Sequence, residues 1–328
     1  MPFRPRLKSL ARTLSPASTP ALSRRRPPSL DIGTGPATTS RLQLFSSYSS
    51  SPLPPHAPVS GNVTPSRRRR TFSSSSSSEP LPLPSSRWYA DLRERLGKCV
   101  TFGCSHEQAQ RAAGVLRALA DEWRGLTAGA EGFLTGGRRM GLEGQQVVWG
   151  EMDSFGHVNN ANYLRYAESA RVNWIIHFAG VDPANGTQWR ELMTPKGTGL
   201  IMKSIKAQYK FPMTYPDTIS AYTKLRAEPT ASDTSLVLDC VILSHRHKRV
   251  AARTEEDVVI YDYGAARKTP VPPFALAAFR DVWSRQQEET RRARARIREL
   301  AGLVEGIEKE TWDRSDAVED MGTAGKAG

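Results

Sequence analysis

Residues 147–174, VVWGEMDSFGHVNNANYLRYAESARVNW, constrain this chain more than any other stretch. They set a short apolar strand end, a turn dense with polar groups and an aromatic-rich helical pattern in direct succession. Val147, Val148 and Trp149 read as the end of a strand, and residues 150–159 as the turn. From Asn160 to Gly180, the residues Tyr163, Ala167, Ala170, Trp174 and Phe178 recur every three or four positions, which predicts a helix with one buried stripe. Asn159 or Asn160 supplies its N-cap and Gly180 its stop. Such a strand, turn and helix aim backbone N–H groups and the positive end of the helix dipole at one spot. Asp153 is the acid placed to act against that spot, so an anion or a developing oxyanion would lie between its carboxylate and the helix N-terminus.

Downstream, residues 181–199 carry Pro183, Gly186, Pro195 and Gly197 and read as a long loop, of the kind that is often functional. Four strand candidates follow. In 201–211, Ile201, Ile205, Ala207, Tyr209 and Phe211 alternate with Lys206, Gln208 and Lys210, the period of a sheet with one buried face. The others are 219–225, 235–246 and 250–263, and their short connections imply antiparallel pairing. About five strands and one long helix make an α+β unit in which the helix covers one sheet face. Glu255-Glu256-Asp257 is out of place in a buried strand and faces either a subunit neighbour or solvent. His245-Arg246-His247 reads as an exposed basic hairpin rather than a metal site, since a third ligand is missing.

The run WGEMDSFGHVNNANYLRYAESAR resembles the hotdog-fold thioesterases of the 4-hydroxybenzoyl-CoA thioesterase type, in which Gly-acid-x-Asp leads to Asn-Tyr at the start of a central helix. Tyr215-Pro216-Asp217-Thr218-Ile219 resembles the turn between the second and third strands of that family. The resemblance covers about residues 140–270. It implies a hotdog, an antiparallel sheet of about five strands wrapped on the central helix. It also implies hydrolysis of an acyl thioester without metal or redox cofactor, with acyl-CoA or another acyl thioester as substrate. In this reading Asp153 is nucleophile or general base, the alternative being a cap of the turn or helix, and the backbone near Asn160 holds the oxyanion. His157 binds the acyl group, orients Asp153 or makes only a structural hydrogen bond, and the His-Val-Asn-Asn run it opens is shared with acyl-carrier-protein thioesterases. Asn159, Phe155 and Gly156 are the substrate-binding candidates; Phe155-Gly156-His157 departs from the small-Gly-apolar pattern of the family and reshapes the acyl pocket. Glu151 reads as structural, and Glu168 packs against a neighbouring loop. Family subunits pair so that their sheets become continuous, which implies a homo-oligomer, a dimer or a dimer of dimers. No G-x-S-x-G elbow suggests a serine triad.

The ends of the chain have another character. Of 46 Lys and Arg against 33 Asp and Glu, residues 1–87 hold thirteen basic side chains against Asp31 and Glu79 alone. The basic excess therefore belongs to the leader, and the body shows no sign of nucleic-acid binding. A leader rich in Arg, Ser and Pro and nearly free of acids has the composition of a mitochondrial transit peptide, cut after Phe72, and implies the matrix. Two alternatives are a Ser/Arg-rich tail with no address and an RNA-binding arm, and processing would remove such an arm. A Ser/Pro-rich linker closes the leader at about residue 87. No apolar run approaches the ~18 residues of a membrane span.

A helical N-terminal extension spans 88–140, with Ala109, Ala112, Leu116, Leu119 and Trp123 at helical spacing. The hotdog domain occupies 141–270, a C-terminal helix 271–310 and a disordered tail 311–328. That last helix shows a thin apolar line, Ile297, Leu300, Leu303 and Ile307, typical of a solvated or partner-docking helix. Cys99, Cys104 and Cys240 read as reduced thiols. The added helices also suit a rival function, a non-catalytic hotdog scaffold or binding subunit of a mitochondrial assembly.

Overall fold

The computed structural model describes residues 81–136 and 140–317. The expected transit peptide and its expected cleavage after Phe72, the serine run and the last residues of the tail lie outside these.

The core is a sheet of six antiparallel strands around one helix. The strands are β1 (Gly141–Val147), β2 (Thr198–Tyr209), β3 (Asp217–Leu225), β4 (Ser235–Ser244), β5 (Arg249–Asp262) and the short β6 (Arg267–Lys268). They run in the order β1-β3-β4-β5-β2, with β6 paired to β5. Helix α3 (Asn160–Val181) connects β1 to β2 across the sheet and lies against β1, β3 and β4. This is the hotdog arrangement. The predicted stripe is the one buried: Tyr163, Ala167, Ala170, Trp174 and Phe178 are all inside, joined by Tyr166 and Ile175. Asn159 is the N-cap, its Oδ1 accepting from Ala161 N–H at 2.9 Å.

Both faces of the sheet are covered. On β4, Cys240 and Ile242 pack under α3, while Val241 and Leu243 belong to a second core on the opposite face. That face is roofed by α1 (Trp88–Thr101), α2 (His106–Gly129) and the second half of α5 (Pro273–Thr311). The first half of α5 packs instead beside the end of α3, where Phe279 stacks on Trp174 at 5.6 Å. Residue Gln286 sits at the crossover. Its amide accepts from Leu225 N–H at 3.0 Å and donates to Leu225 C=O at 2.9 Å, serving the end of β3 that β1 does not reach.

Several expectations are corrected. Trp149 does not end a strand but opens a 3-10 turn, Trp149–Glu151, with its ring 75 % exposed. The long loop after α3 holds a short helix, α4 (Gly186–Glu191), whose Trp189 is buried against Phe178 at 4.5 Å. In α2 the buried line runs through Val115 rather than Ala109 and Leu116, and in α5 through Val304 rather than Leu303. These helices spend their buried apolar lines on each other and on the sheet, so α5 is not solvated all round. Glu256 is fully buried and paired with Arg171 of α3, while Glu255 pairs with Arg226 and Asp257 with Lys203. His245 is not an exposed hairpin residue. Its ring packs edge-on to Trp123 of α2 at 5.5 Å and its Nε2 lies 2.9 Å from Ser220 Oγ.

Candidate active site

The turn between β1 and α3 is built by its own side chains. Asp153 Oδ1 accepts from Phe155 N–H at 2.9 Å and from His157 N–H at 3.4 Å, and Asp153 N–H donates to His157 C=O at 2.8 Å. These bonds close a tight loop whose apex, Gly156, has φ +73°, a conformation that favours glycine. Glu151 Oε2 accepts from Val148 N–H at 2.9 Å, so this first acid of the motif braces the turn. Its carbonyl takes the Asn159 N–H and the Asn162 Nδ2, both at 2.9 Å, which ties the turn to the helix start.

At that start the backbone donors are shared out unequally. Ala161 N–H goes to the Asn159 side chain and Asn162 N–H to the Asn159 carbonyl. The Asn160 N–H, at the first helical position, has no partner among the described residues. An unpaired N–H at the positive end of a 22-residue helix is a ready donor to an anion.

A cleft of about 480 Å³ opens at this point, lined by Asp153, Phe155, His157 and Asn160 from the turn. Tyr163, Tyr209, Phe211 and Pro212 supply its other wall. Of the six site residues predicted from sequence, four thus line one cleft. Asn159 serves as the N-cap instead, and Gly156 as the apex of the turn. Phe155 stands at the mouth with 83 % of its surface exposed, so within one chain it does not fill the pocket.

Sequence reasoning missed the far wall. Tyr209, at the end of β2, donates its hydroxyl to the Asn160 carbonyl at 3.3 Å and meets the Tyr163 ring at 5.2 Å. Tyr163 accepts the Met213 N–H at 3.2 Å, and burial pushes its phenol above the ordinary value. The Val158 N–H to Met213 C=O bond, 2.9 Å, closes the chain after β2 onto the turn. The only hint in the letters was the alternation that put Tyr209 and Phe211 on one face.

Asp217, the first residue of β3, is a structural acid. Its carboxylate accepts from Thr218 N–H, Arg246 N–H and Ser244 Oγ at 2.7, 2.9 and 2.5 Å. Among the described residues, no group of three or more His, Cys, Asp and Glu side chains is placed to hold a metal ion, and no helix is long and apolar enough to cross a membrane.

A thioesterase complexed with coenzyme A and Zn from Thermus thermophilus is 19 % identical, covering 45 % of this chain and 98 % of its own, with a TM-score of 0.34. A DHNA-CoA thioesterase from Staphylococcus aureus is 16 % identical over 44 % of this chain and 87 % of its own, at 0.33. A gentisyl-coenzyme A thioesterase is 25 % identical over 41 % and 95 %, at 0.32. No curated protein matches the chain. Residues 147–279, from the last residue of β1 into the first turns of α5, match the model of the thioesterase-like superfamily.

Proposed function

We propose that this protein is an acyl-thioester hydrolase acting on acyl-CoA, with Asp153 as nucleophile or general base and the N-terminus of α3 as oxyanion hole. The observation that carries the reading is the single cleft lined by Asp153, His157 and Asn160. Thioester hydrolysis needs a nucleophile or base on one side of the carbonyl and a fixed donor for the charge that grows on its oxygen. Asp153 Oδ1 is taken up by two backbone N–H groups, which hold the carboxylate in place, while Oδ2 has no hydrogen bond among the described residues. The Asn160 N–H faces no competing acceptor. A donor of this kind is worth roughly 2.7–4 kcal/mol in acyl transfer. The family match over 147–279 supports a thioesterase in general.

The homodimer belongs to the same proposal. β2 is an edge strand, paired to β5 on one side only, and an open edge of twelve residues is a template for a second strand. Pairing two β2 strands would bring a partner to the open, Phe155-bearing side of each cleft. The leader's composition supports a mitochondrial matrix address, which predicts a mature N-terminus near Ser73 by mass spectrometry.

The scaffold reading relied on helices free to bind a partner, and here those helices are committed to the sheet. Thiol release by the full chain, measured on short, long and aromatic acyl-CoAs, tests the hydrolase. Turnover of at least one substrate is expected, and no release from any of them would return the scaffold to first place.

A further inference from the structure

A second cavity adjoins the candidate active site and carries a different chemistry. It measures about 350 Å³ and shares Lys210 and Phe211 with the cleft at Asp153. Four cationic side chains line it, Arg87, Lys210, Arg249 and Arg253, against one carboxylate, Glu131. Ser85 and Ser86 add hydroxyls.

The charges are only partly cancelled locally. Arg253 is paired with Glu131, and Arg87 makes a loose, exposed pair with Asp91 at 3.6 Å. Lys210 reaches only the neutral Gln208 side chain at 2.9 Å. Arg249 lies over the Phe211 ring at 4.0 Å and has no carboxylate partner among the described residues. Stacking fixes the guanidinium plane and leaves its N–H fork unspent, the arrangement in which arginine recognises phosphate in two-point fashion.

The walls of this cavity are held in place. Arg294 of α5 donates to Leu81 C=O at 2.5 Å and to Ala130 C=O at 2.8 Å, which pins the segment before α1 beside the end of α2. Trp88 is buried at the head of α1. Residues 83–88 and 127–131 lie outside the stretch matched by the thioesterase-like model, so this is a feature added to the core by the N-terminal extension.

We infer that this cavity is a phosphate-binding groove that takes the phosphorylated nucleotide end of the thioester substrate, with Arg249 and Lys210 as its principal cations. A ligand whose acyl carbonyl sits by Asp153 runs past Lys210 and Phe211 straight into it. The identity of the ligand as a CoA ester rests on the hydrolase reading above, whereas the groove's affinity for a polyanionic nucleotide does not.

The test uses the full chain and two probes, adenosine 3′,5′-bisphosphate and CoA, with binding followed by calorimetry. The bisphosphate should bind, and Arg249→Gln should weaken it about tenfold, with Arg249→Glu weakening it further. Arg249 is exposed, and an unchanged circular dichroism spectrum keeps the comparison fair. CoA should bind more tightly than the bisphosphate, because its pantetheine arm occupies the adjoining cleft; equal affinities would mean a free-nucleotide site and overturn the assignment to the substrate. Where a thioester is hydrolysed, the ratio of kcat/KM for acyl-CoA to that for the corresponding acyl-pantetheine should fall about tenfold in Arg249→Gln. No binding of the bisphosphate, or equal binding by wild type and both variants, overturns the groove whether or not the protein is a hydrolase. Failure of hydrolysis with Arg249-dependent bisphosphate binding retained would instead count against the hydrolase alone.

Discussion

Two side chains, Glu256 and the half-buried His245, decide how the core tolerates charge. Glu256 is fully buried on β5, accepts from Thr254 Oγ1 at 2.8 Å and is neutralised by Arg171. Removing the cation strands the carboxylate, so Arg171→Ala is expected to cost about 3–5 kcal/mol in chemical denaturation, while Arg171→Met with Glu256→Leu recovers most of that loss. Equal stability of the single and double variants would contradict the pairing. His245 titrates in the opposite sense to a salt-bridged histidine. Burial, then the charge of Arg124, lowers its pKa below the ordinary 6.5. The unfolded chain therefore binds this proton more readily, and the His245 contribution is full above about pH 6.5 and drains away as pH falls toward the folded pKa. Between pH 7.5 and 5.5 the wild type should lose more stability than His245→Gln; parallel curves would rule the linkage out. Neither role was legible in the letters. Glu256 and Arg171 are far apart in sequence, and only the register of β5 under α3 makes them a pair; His245 needed α2 to be laid over the β4 hairpin.

Among elements, the central helix was readable because its stripe is long and unbroken, and five of its predicted core residues are buried. Helix α4 was not, since six residues starting at a glycine carry too little periodicity, and only Trp189 gives it a core. The errors in α2 and α5 share one cause. Each helix meets two surfaces, the sheet and the other helices, so the buried line drifts from Leu116 to Val115 and from Leu303 to Val304 as the packing partner changes. The junction Gln286 is what holds α5 to the sheet while it crosses over. Gln286→Ala would leave Leu225 N–H and C=O buried and unpaired, at about 1–3 kcal/mol for each group. The check is thermal unfolding together with amide exchange, and Leu225 N–H should lose protection first; unaltered exchange there would show that the amide bonds carry no weight.

Across the whole molecule, the extension and the C-terminal helix do three things at once. They roof the outer face of the sheet, they bring residues 83–88 to the edge of the candidate site, and they leave the β2 edge open. The half of the site that lies within one continuous motif, Asp153 through Asn160, could be named from sequence because the turn, the cap and the helix are local. The wall formed by Tyr209 and Phe211 could not, because it depends on where β2 ends relative to the helix it follows. The hydrolase proposed above rests on Asp153. Asn at this position keeps the Oδ1 acceptor for the Phe155 and His157 N–H groups and removes only the charge and the basicity. Thiol release from the best acyl-CoA should therefore fall at least about a hundredfold in Asp153→Asn, with the fold and CoA binding retained. Wild-type turnover by this variant would contradict the assignment of Asp153 as the group that attacks the thioester or activates water.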